Sequence, residues 1–179
     1  CRVDAGRDRD ELTVCITNFR RPHYLERAIR SSIHAGVKHI VVASMEPDAE
    51  TLGVVDQFID FPGLRLTFTS INADLGCNEL WLQSVYRAET DRVIVLHDDD
   101  CLNTPLGQSY QDVIQPELRH GVGFASWRAQ VMYDVGNKRE CDYFSGPTRV
   151  LPSMEIENFV GRKGRLSLSP IVSVFNRAV

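Results

Sequence analysis

Short β-branched runs and longer amphipathic stretches alternate along the first part of the chain. Four apolar runs predict buried strands, at residues 12–16, 39–43, 64–69 and 92–96. Three stretches with apolar residues at helical spacing lie between them, from Pro22 to Gly36, at residues 47–59 and at residues 79–88. Strands that alternate with helices predict an α/β, Rossmann-like, mostly parallel sheet with helices on both faces.

Polar residues cluster directly after each predicted strand, at residues 17–21, 44–48, 72–78 and 98–100. The carboxyl ends of parallel strands meet at one edge of a sheet, and ligands of open α/β sheets bind beyond that edge. The pattern therefore predicts a ligand site built from these four loops.

The second part of the chain has a less regular pattern. A helix is expected from Pro105 to Leu118, and strands within residues 123–127, 130–133 and 167–175. We expect residues 1–11 to be a flexible lead-in and residues 12–179 to form one domain. Its nucleotide-binding half would span residues 12–104, and residues 105–179 would begin an acceptor-side half. Because the chain begins with Cys1 and ends soon after a strand, we expect it to be a fragment of a longer protein.

Composition narrows the function classes. Lys and Arg total 20 against 24 Asp and Glu, for a net charge of -4, so no basic surplus predicts a dedicated nucleic-acid binder. No apolar run approaches the roughly 20 residues of a membrane helix, and no signal peptide is evident. The 5 cysteines are widely spaced without a C-x-x-C pair, which predicts reduced thiols and a cytoplasmic setting.

Three consecutive carboxylates, Asp98, Asp99 and Asp100, follow the fourth predicted strand. Like charges this close raise one another's pKa, so a compensating group is expected, and Mg²⁺ or Mn²⁺ is the simplest one. In an extended segment Asp98 and Asp100 point to the same side, which predicts that both face one metal ion. The alternative is an exposed acidic turn without a metal.

Two common phosphate-binding motifs are absent. The sequence has no G-x-x-x-x-G-K-[ST] loop and no G-x-G-x-x-G after the first strand, which disfavours a P-loop NTPase and a dinucleotide-binding enzyme. Arg20 and Arg21 are the candidate partners for phosphate charge. The alternative for both, and especially for Arg21, is a solvated charge at a helix start.

The ordered motifs resemble those of GT-A fold glycosyltransferases, and most of all the family 2 group of inverting enzymes. Residues 14–22 (VCITNFRRP) resemble the opening motif, residues 39–42 the second strand, and residues 93–100 the strand that ends in a DXD motif. Residues 72–78 resemble the loop before the third helix, and residues 167–177 a late segment before the acceptor region. The resemblance implies a GT-A fold and metal-dependent, inverting transfer of a sugar. The donor would be a UDP-, GDP- or dTDP-linked sugar, and the acceptor a hydroxyl of a glycan, lipid or small molecule.

The resemblance also implies site residues. The nucleotide-sugar would be bound by the loops after the first, second, third and fourth strands, at Thr17, Asn18, Phe19, Arg20, Ser44, Glu46, Asn72, Gly76, Asp98 and Asp99. The ligands of Mn²⁺ or Mg²⁺ would be Asp98 and Asp100, with Asp100 the first choice. The Phe19 ring would pack on the nucleotide base or, alternatively, in the core. Trp81 would close the base-side wall or belong to the core.

Several positions depart from the family pattern. Acidic residues usually follow the second strand, where this chain has Ser44, Met45 and Glu46; Arg20 replaces an Asn, and His97 stands where an Asp is frequent. The family places its catalytic base beyond the last segment of this chain, so no base is named. The alternative function is therefore a catalytically degenerate GT-A domain that serves as a binding or scaffolding module. Nucleotidyl transfer is disfavoured because the loop after the first strand lacks glycines.

Overall fold

The computed structural model describes residues 11–102, Ser109 and four short strand segments further along the chain. The strands and helices, in chain order, are β1 (Leu12–Asn18), α1 (Pro22–His34), β2 (His39–Met45), α2 (Ala49–Ile59), β3 (Arg65–Ile71), α3 (Gly76–Tyr86), β4 (Arg92–His97), β5 (Phe124–Ser126), β6 (Val131–Met132), β7 (Lys138–Arg139) and β8 (Ser173–Asn176). The order of strands and helices up to β4 is the predicted one. The predicted helix Pro105–Leu118 lies outside the described residues, apart from Ser109.

The main sheet has the strand order β3-β2-β1-β4-β8-β5. The first four strands are parallel, while β8 runs antiparallel to both β4 and β5. Strands β6 and β7 form a separate antiparallel pair. The α/β fold with a mostly parallel sheet is therefore confirmed.

Helices cover both faces of this sheet. Alternate residues of the central strands point to opposite faces, and because both sets are apolar, each face packs against helices. On one face Val14 and Ile16 of β1 pack with Leu25 and Ile29 of α1 and with Phe58 of α2. On the other face the residues of β1, β2 and β4 pack against α3 and the segment after it. That second layer contains Cys15, Val41, Val85, Ala88, Val93 and Val95. The prediction of helices on both faces is confirmed.

Hydrogen bonds set element ends that the sequence pattern misplaced. The predicted first strand ended at residue 16, but β1 continues to Asn18 because Thr17 and Asn18 still pair with Ala43 and Ser44 of β2. Helix α2 begins at Ala49, two residues later than predicted, because the Asp48 side chain accepts a 2.7 Å hydrogen bond from the Thr51 N–H.

Helix α3 was also misplaced, since it begins at Gly76 instead of Glu79 and ends at Tyr86. A 3-10 turn at residues 73–75 leads into it, and the Asn72 side chain caps that turn by accepting from the Asp74 N–H at 3.0 Å. Gly76 has φ 75° and ψ 170°, a region of backbone conformation that is essentially restricted to glycine. The glycine therefore fixes the start of α3.

Candidate functional site

The carboxyl ends of β1, β2 and β4 carry a buried polar cluster. Its members are Thr17, Asn18, Ser44 and Asp98, each at most 3% exposed. The Asp98 N–H donates to the Thr17 carbonyl oxygen at 3.0 Å, which joins the end of β4 to β1. The Ser44 hydroxyl donates to Asn18 Oδ1 at 2.8 Å, which joins β2 to β1. The predicted loops thus meet at one edge of the sheet.

Asp98 is the centre of this cluster and is 0% exposed. Its Oδ2 accepts from Asn18 Nδ2 at 2.7 Å, from the Phe19 N–H at 3.3 Å and from Arg21 Nε at 3.2 Å. Its Oδ1 accepts from Arg21 Nη2 in a close ion pair. Burial raises the pKa of Asp98, and the Arg21 charge and these hydrogen bonds oppose that rise. Both carboxylate oxygens therefore already have protein partners.

Arg21 compensates two of the three carboxylates, since Arg21 Nη1 also lies 3.0 Å from Asp99 Oδ2. Burial lowers the pKa of Arg21, but attraction by Asp98 and Asp99 outweighs it and the net shift is upward. The sequence left Arg21 as a phosphate partner or a solvated charge, and its pairing with the triplet was missed. Arg27 was missed as well, and its Nη2 donates to the Asp99 carbonyl oxygen at 2.9 Å.

The third carboxylate, Asp100, differs from Asp98 and Asp99 because it lies after a backbone turn and does not pair with Arg21. The chain turns after β4, because the Asp100 N–H donates to the His97 carbonyl oxygen at 3.1 Å. The expectation of an extended segment, with Asp98 and Asp100 on the same side by strand alternation, was therefore wrong. The Asp100 carboxylate forms no salt bridge with any described residue, and only His97, through its charge and a backbone hydrogen bond, lowers the pKa of Asp100. Burial and repulsion by Asp99 raise the pKa of Asp100.

Phe19, Arg20 and Glu46 form the exposed rim of the site. The Phe19 ring is 48% exposed, which rules out its alternative placement in the core. The Arg20 guanidinium lies 5.5 Å from the centre of that ring, and its Nη2 pairs with Glu46 Oε2 at 2.8 Å. Arg20 (φ 51°) and Glu46 (φ 46°) both have left-handed backbones. Such conformations are uncommon outside glycine and cluster at functional sites.

Thr17 and His97 connect the site to α3. Thr17 Oγ1 and His97 Nδ1 share a 2.9 Å hydrogen bond, and the His97 ring lies 5.2 Å from the Trp81 ring. Trp81 also packs against a buried cluster that includes Ala43 and Leu80. It is thus both a core residue and a neighbour of the site.

Asn72 and Gly76 belong to the loop after the third strand and to the start of α3. They follow β3, which is three strand positions from β4 in the sheet. At about 4.8 Å per strand this separation is roughly 14 Å. The structure therefore brings the residues of the β1, β2 and β4 loops together, while no described hydrogen bond joins Asn72 or Gly76 to them.

A divalent cation at this site would have one candidate ligand, the carboxylate of Asp100. Asp100 offers hard oxygen atoms of the kind that Mg²⁺ and Mn²⁺ prefer, and no Lys or Arg among the described residues forms a salt bridge with its carboxylate. Within the described part of the chain, no group of three or more His, Cys, Asp or Glu side chains could enclose a metal ion. Mg²⁺ commonly takes its remaining ligands from water and phosphates.

Comparisons with known proteins identify a fold. No family model matches the chain, and no curated protein matches it. A mannosyltransferase, PcManGT from Pyrobaculum calidifontis solved with GDP-Man and Mn²⁺, is similar at 15% identity with a TM-score of 0.55, over 70% of this chain and 39% of that one. At that identity the likeness shows the fold alone, a Rossmann-like α/β sheet of the GT-A type.

Two further structures overlap less well. TarS 1-349 from S. aureus is 16% identical with a TM-score of 0.46, over 60% of this chain and 31% of that one. HddC from Yersinia pseudotuberculosis is 13% identical with a TM-score of 0.48, over 94% of this chain and 77% of that one. The chain therefore spans less than half the length of two of these three structures. Across the described residues, none of the helices has both the length and the apolar character needed to span a bilayer.

Proposed function

We propose that this chain is the donor-binding part of a glycosyltransferase. It would take a sugar from a UDP-, GDP- or dTDP-linked donor and transfer it to a hydroxyl of a glycan, lipid or small-molecule acceptor. The observation that carries the proposal is Asp100, a half-buried carboxylate that forms no salt bridge with a described residue, at the carboxyl edge of a GT-A-type sheet. Donor, metal dependence and the cytoplasmic setting are parts of the proposal.

Electrostatics support a cation and a diphosphate at this edge. The fold disfavours the ionised form of Asp100, since burial and Asp99 raise its pKa. A divalent cation beside it would favour the ionised carboxylate. Such a cation, when bound, neutralises charge on a leaving diphosphate. The similar mannosyltransferase was solved with Mn²⁺ and a nucleotide-sugar, which agrees with Mn²⁺ or Mg²⁺ as the ion.

The rim supports a nucleotide base. The exposed Phe19 ring offers an aromatic face, and the Arg20 guanidinium lies over that ring. Glu46 would supply a hydrogen-bond acceptor to the base. Asn18 and Ser44 are buried and bonded to each other, so they would support the loops from behind. Asn72 and Gly76 would form the base-side wall of the nucleotide site.

The inverting outcome is proposed from the sequence resemblance. In-line displacement requires a carboxylate that removes the acceptor proton. None of the aspartates at the site is assigned this role, because Asp98 and Asp99 pair with Arg21 and Asp100 is the proposed cation ligand. We therefore assign the proton-removing group to a segment outside the described residues.

A second candidate is a degenerate GT-A domain that binds without turnover. One observation favours it: Arg21 compensates the charges of Asp98 and Asp99. Such a module would bind a nucleotide without requiring a cation. Glycosyl transfer predicts the opposite dependence.

Calorimetric titration of UDP, GDP, dTDP and CDP, with and without Mn²⁺, tests the proposal. The chain would be compared with Asp100→Asn and with Asp56→Asn, whose carboxylate is exposed on α2. We expect one nucleotide to bind in a way that requires both Mn²⁺ and Asp100, while Asp56→Asn behaves as the parent chain. Metal-independent binding would favour the degenerate module, and no binding by any nucleotide would refute both.

A further inference from the structure

We propose that Asp98, the first carboxylate of the triplet, is a positioning residue that fixes Arg21 and does not hold the cation. The inference rests on the proposed function. It reverses the sequence-based pairing of Asp98 with Asp100 as joint metal ligands, because the side chain that faces the acidic triplet is a guanidinium. The carboxylates of Asp98 and Asp100 thereby have separate tasks.

The first argument is occupancy of the carboxylate. Asp98 is fully buried, and its two oxygens accept from four protein donors supplied by Asn18, Phe19 and Arg21. A carboxylate has about four lone-pair sites. A cation at Asp98 would have to displace buried hydrogen bonds and come into direct contact with the Arg21 guanidinium.

The second argument is the geometry of Arg21. Nε and Nη2 face Asp98, and this leaves Nη1 toward the exposed carboxylate of Asp99. A guanidinium is a planar fork with fixed donor directions, so holding one edge determines where the other edge points. The buried edge of Arg21 is thus anchored, and its 44% exposed side chain presents to the site the outer edge, whose Nη1 pairs with the exposed Asp99. Phosphate oxygens are the natural partners of that edge.

The third argument is connectivity between the loops. Ser44 at the end of β2 donates to Asn18 at the end of β1, and Asn18 donates to Asp98 after β4. Asp98 is therefore the point at which the three loops join. Its loss would alter the position of Arg21 without removing a cation ligand.

Two probes separate the two tasks: Mn²⁺ alone, measured through the electron paramagnetic resonance of the free ion, and inorganic pyrophosphate alone, measured by calorimetry. For Asp98→Asn we expect pyrophosphate affinity to fall about tenfold and Mn²⁺ affinity to stay within about threefold, tenfold being one lost interaction of ordinary strength. For Asp100→Asn we expect the reverse pattern. Asp56→Asn is the control for the loss of one negative charge.

A spectroscopic signature adds a readout that needs no ligand. The Phe19 N–H donates to Asp98 Oδ2, so its amide resonance should shift in Asp98→Asn and stay in place in Asp100→Asn. If Asp98→Asn does not fold, Arg21→Lys keeps the charge and loses the fork. That variant should weaken pyrophosphate binding about tenfold or more, the scale of a lost hydrogen bond to a charged group, and leave Mn²⁺ binding unchanged.

The outcomes distinguish this inference from the proposed function. Loss of Mn²⁺ binding in Asp98→Asn to the extent seen in Asp100→Asn would overturn the positioning role and leave the proposed function standing. Unchanged pyrophosphate binding in both Asp98→Asn and Arg21→Lys would overturn it as well. A parent chain that binds neither Mn²⁺ nor pyrophosphate would refute the proposed function together with the inference.

Discussion

Replacing Arg21 with Met should destabilise the chain far more than the same change at Arg20. Arg21→Met removes the ion pair to Asp98, whose side chain is 0% exposed, and the pair to Asp99. Arg20→Met removes one ion pair to Glu46 between side chains that are 56% and 44% exposed. The two neighbouring arginines are therefore matched in chemistry and differ in the burial of their partners.

The expected magnitude follows from that difference. Removing one partner of a buried ion pair costs about 3–5 kcal/mol, because the remaining charge is left without compensation. The Arg21 side chain is 44% exposed, so water screens the charge that the substitution leaves on Asp98. We therefore expect Arg21→Met to lower the free energy of unfolding by about 2–3 kcal/mol. An exposed pair such as Arg20 with Glu46 contributes about 0–1 kcal/mol.

Urea-induced unfolding followed by circular dichroism measures both changes. A double-mutant cycle with Asp98→Asn isolates the interaction between Arg21 and Asp98, and we expect a coupling of about 1.5 kcal/mol or more. The reasoning would be refuted by an Arg21→Met variant whose free energy of unfolding lies within about 0.5 kcal/mol of that of Arg20→Met, the scale on which independent surface sites differ.

Three further predictions concern the site and its frame. Burial and Asp99 raise the folded-state pKa of Asp100, so the folded state holds that proton more tightly and stability falls as pH rises through this pKa. Without a metal, Asp100→Asn should therefore raise the Tm at pH 7.5, and it should raise the Tm little near pH 3.9, the approximate pKa of an unfolded Asp. An equal rise in Tm at both pH values would contradict this. Gly76→Ala should cost about 1–3 kcal/mol in urea unfolding through backbone strain alone, since no atom lies within 4 Å of the added Cβ, and a neutral change would argue against that conformation. Phe19→Ala should weaken nucleotide binding in calorimetry about tenfold, as stacking contacts do, at unchanged stability; an unchanged affinity would remove Phe19 from the base site.

The order of strands and helices was predictable because it depends on local periodicity. Buried β-branched runs and helical spacing are properties of consecutive residues, and they located β1 to β4 and the three helices. Element ends were less predictable, because β1 continues to Asn18 only through its pairing with Ser44 of a neighbouring strand. The polar residue types at residues 17–18 looked like a loop.

The candidate site was predictable in its place and not in its pairing. Parallel topology brought the loops after β1, β2 and β4 to one edge, as expected. The partner of the buried Asp98 is 77 residues away in the chain, and no local pattern specifies which nearby charge would pair with it. The turn at Asp100 depends on one backbone hydrogen bond to His97, which strand alternation could not anticipate. The left-handed backbones of Arg20 and Glu46 also carry no glycine signal in the sequence.

The most direct test of a cation and diphosphate site at this edge is paramagnetic broadening by Mn²⁺ in the amide spectrum of the ¹⁵N-labelled chain, recorded with UDP, GDP, dTDP and CDP in turn. With the nucleotide that binds, we predict that the amide signals of Phe19, Asp99 and Asp100 broaden first. Signals from the opposite ends of the strands, such as Thr13 and Arg65, should keep their intensity, because a seven-residue strand places them roughly 20 Å away. Broadening centred elsewhere, or none with any nucleotide, would contradict the account.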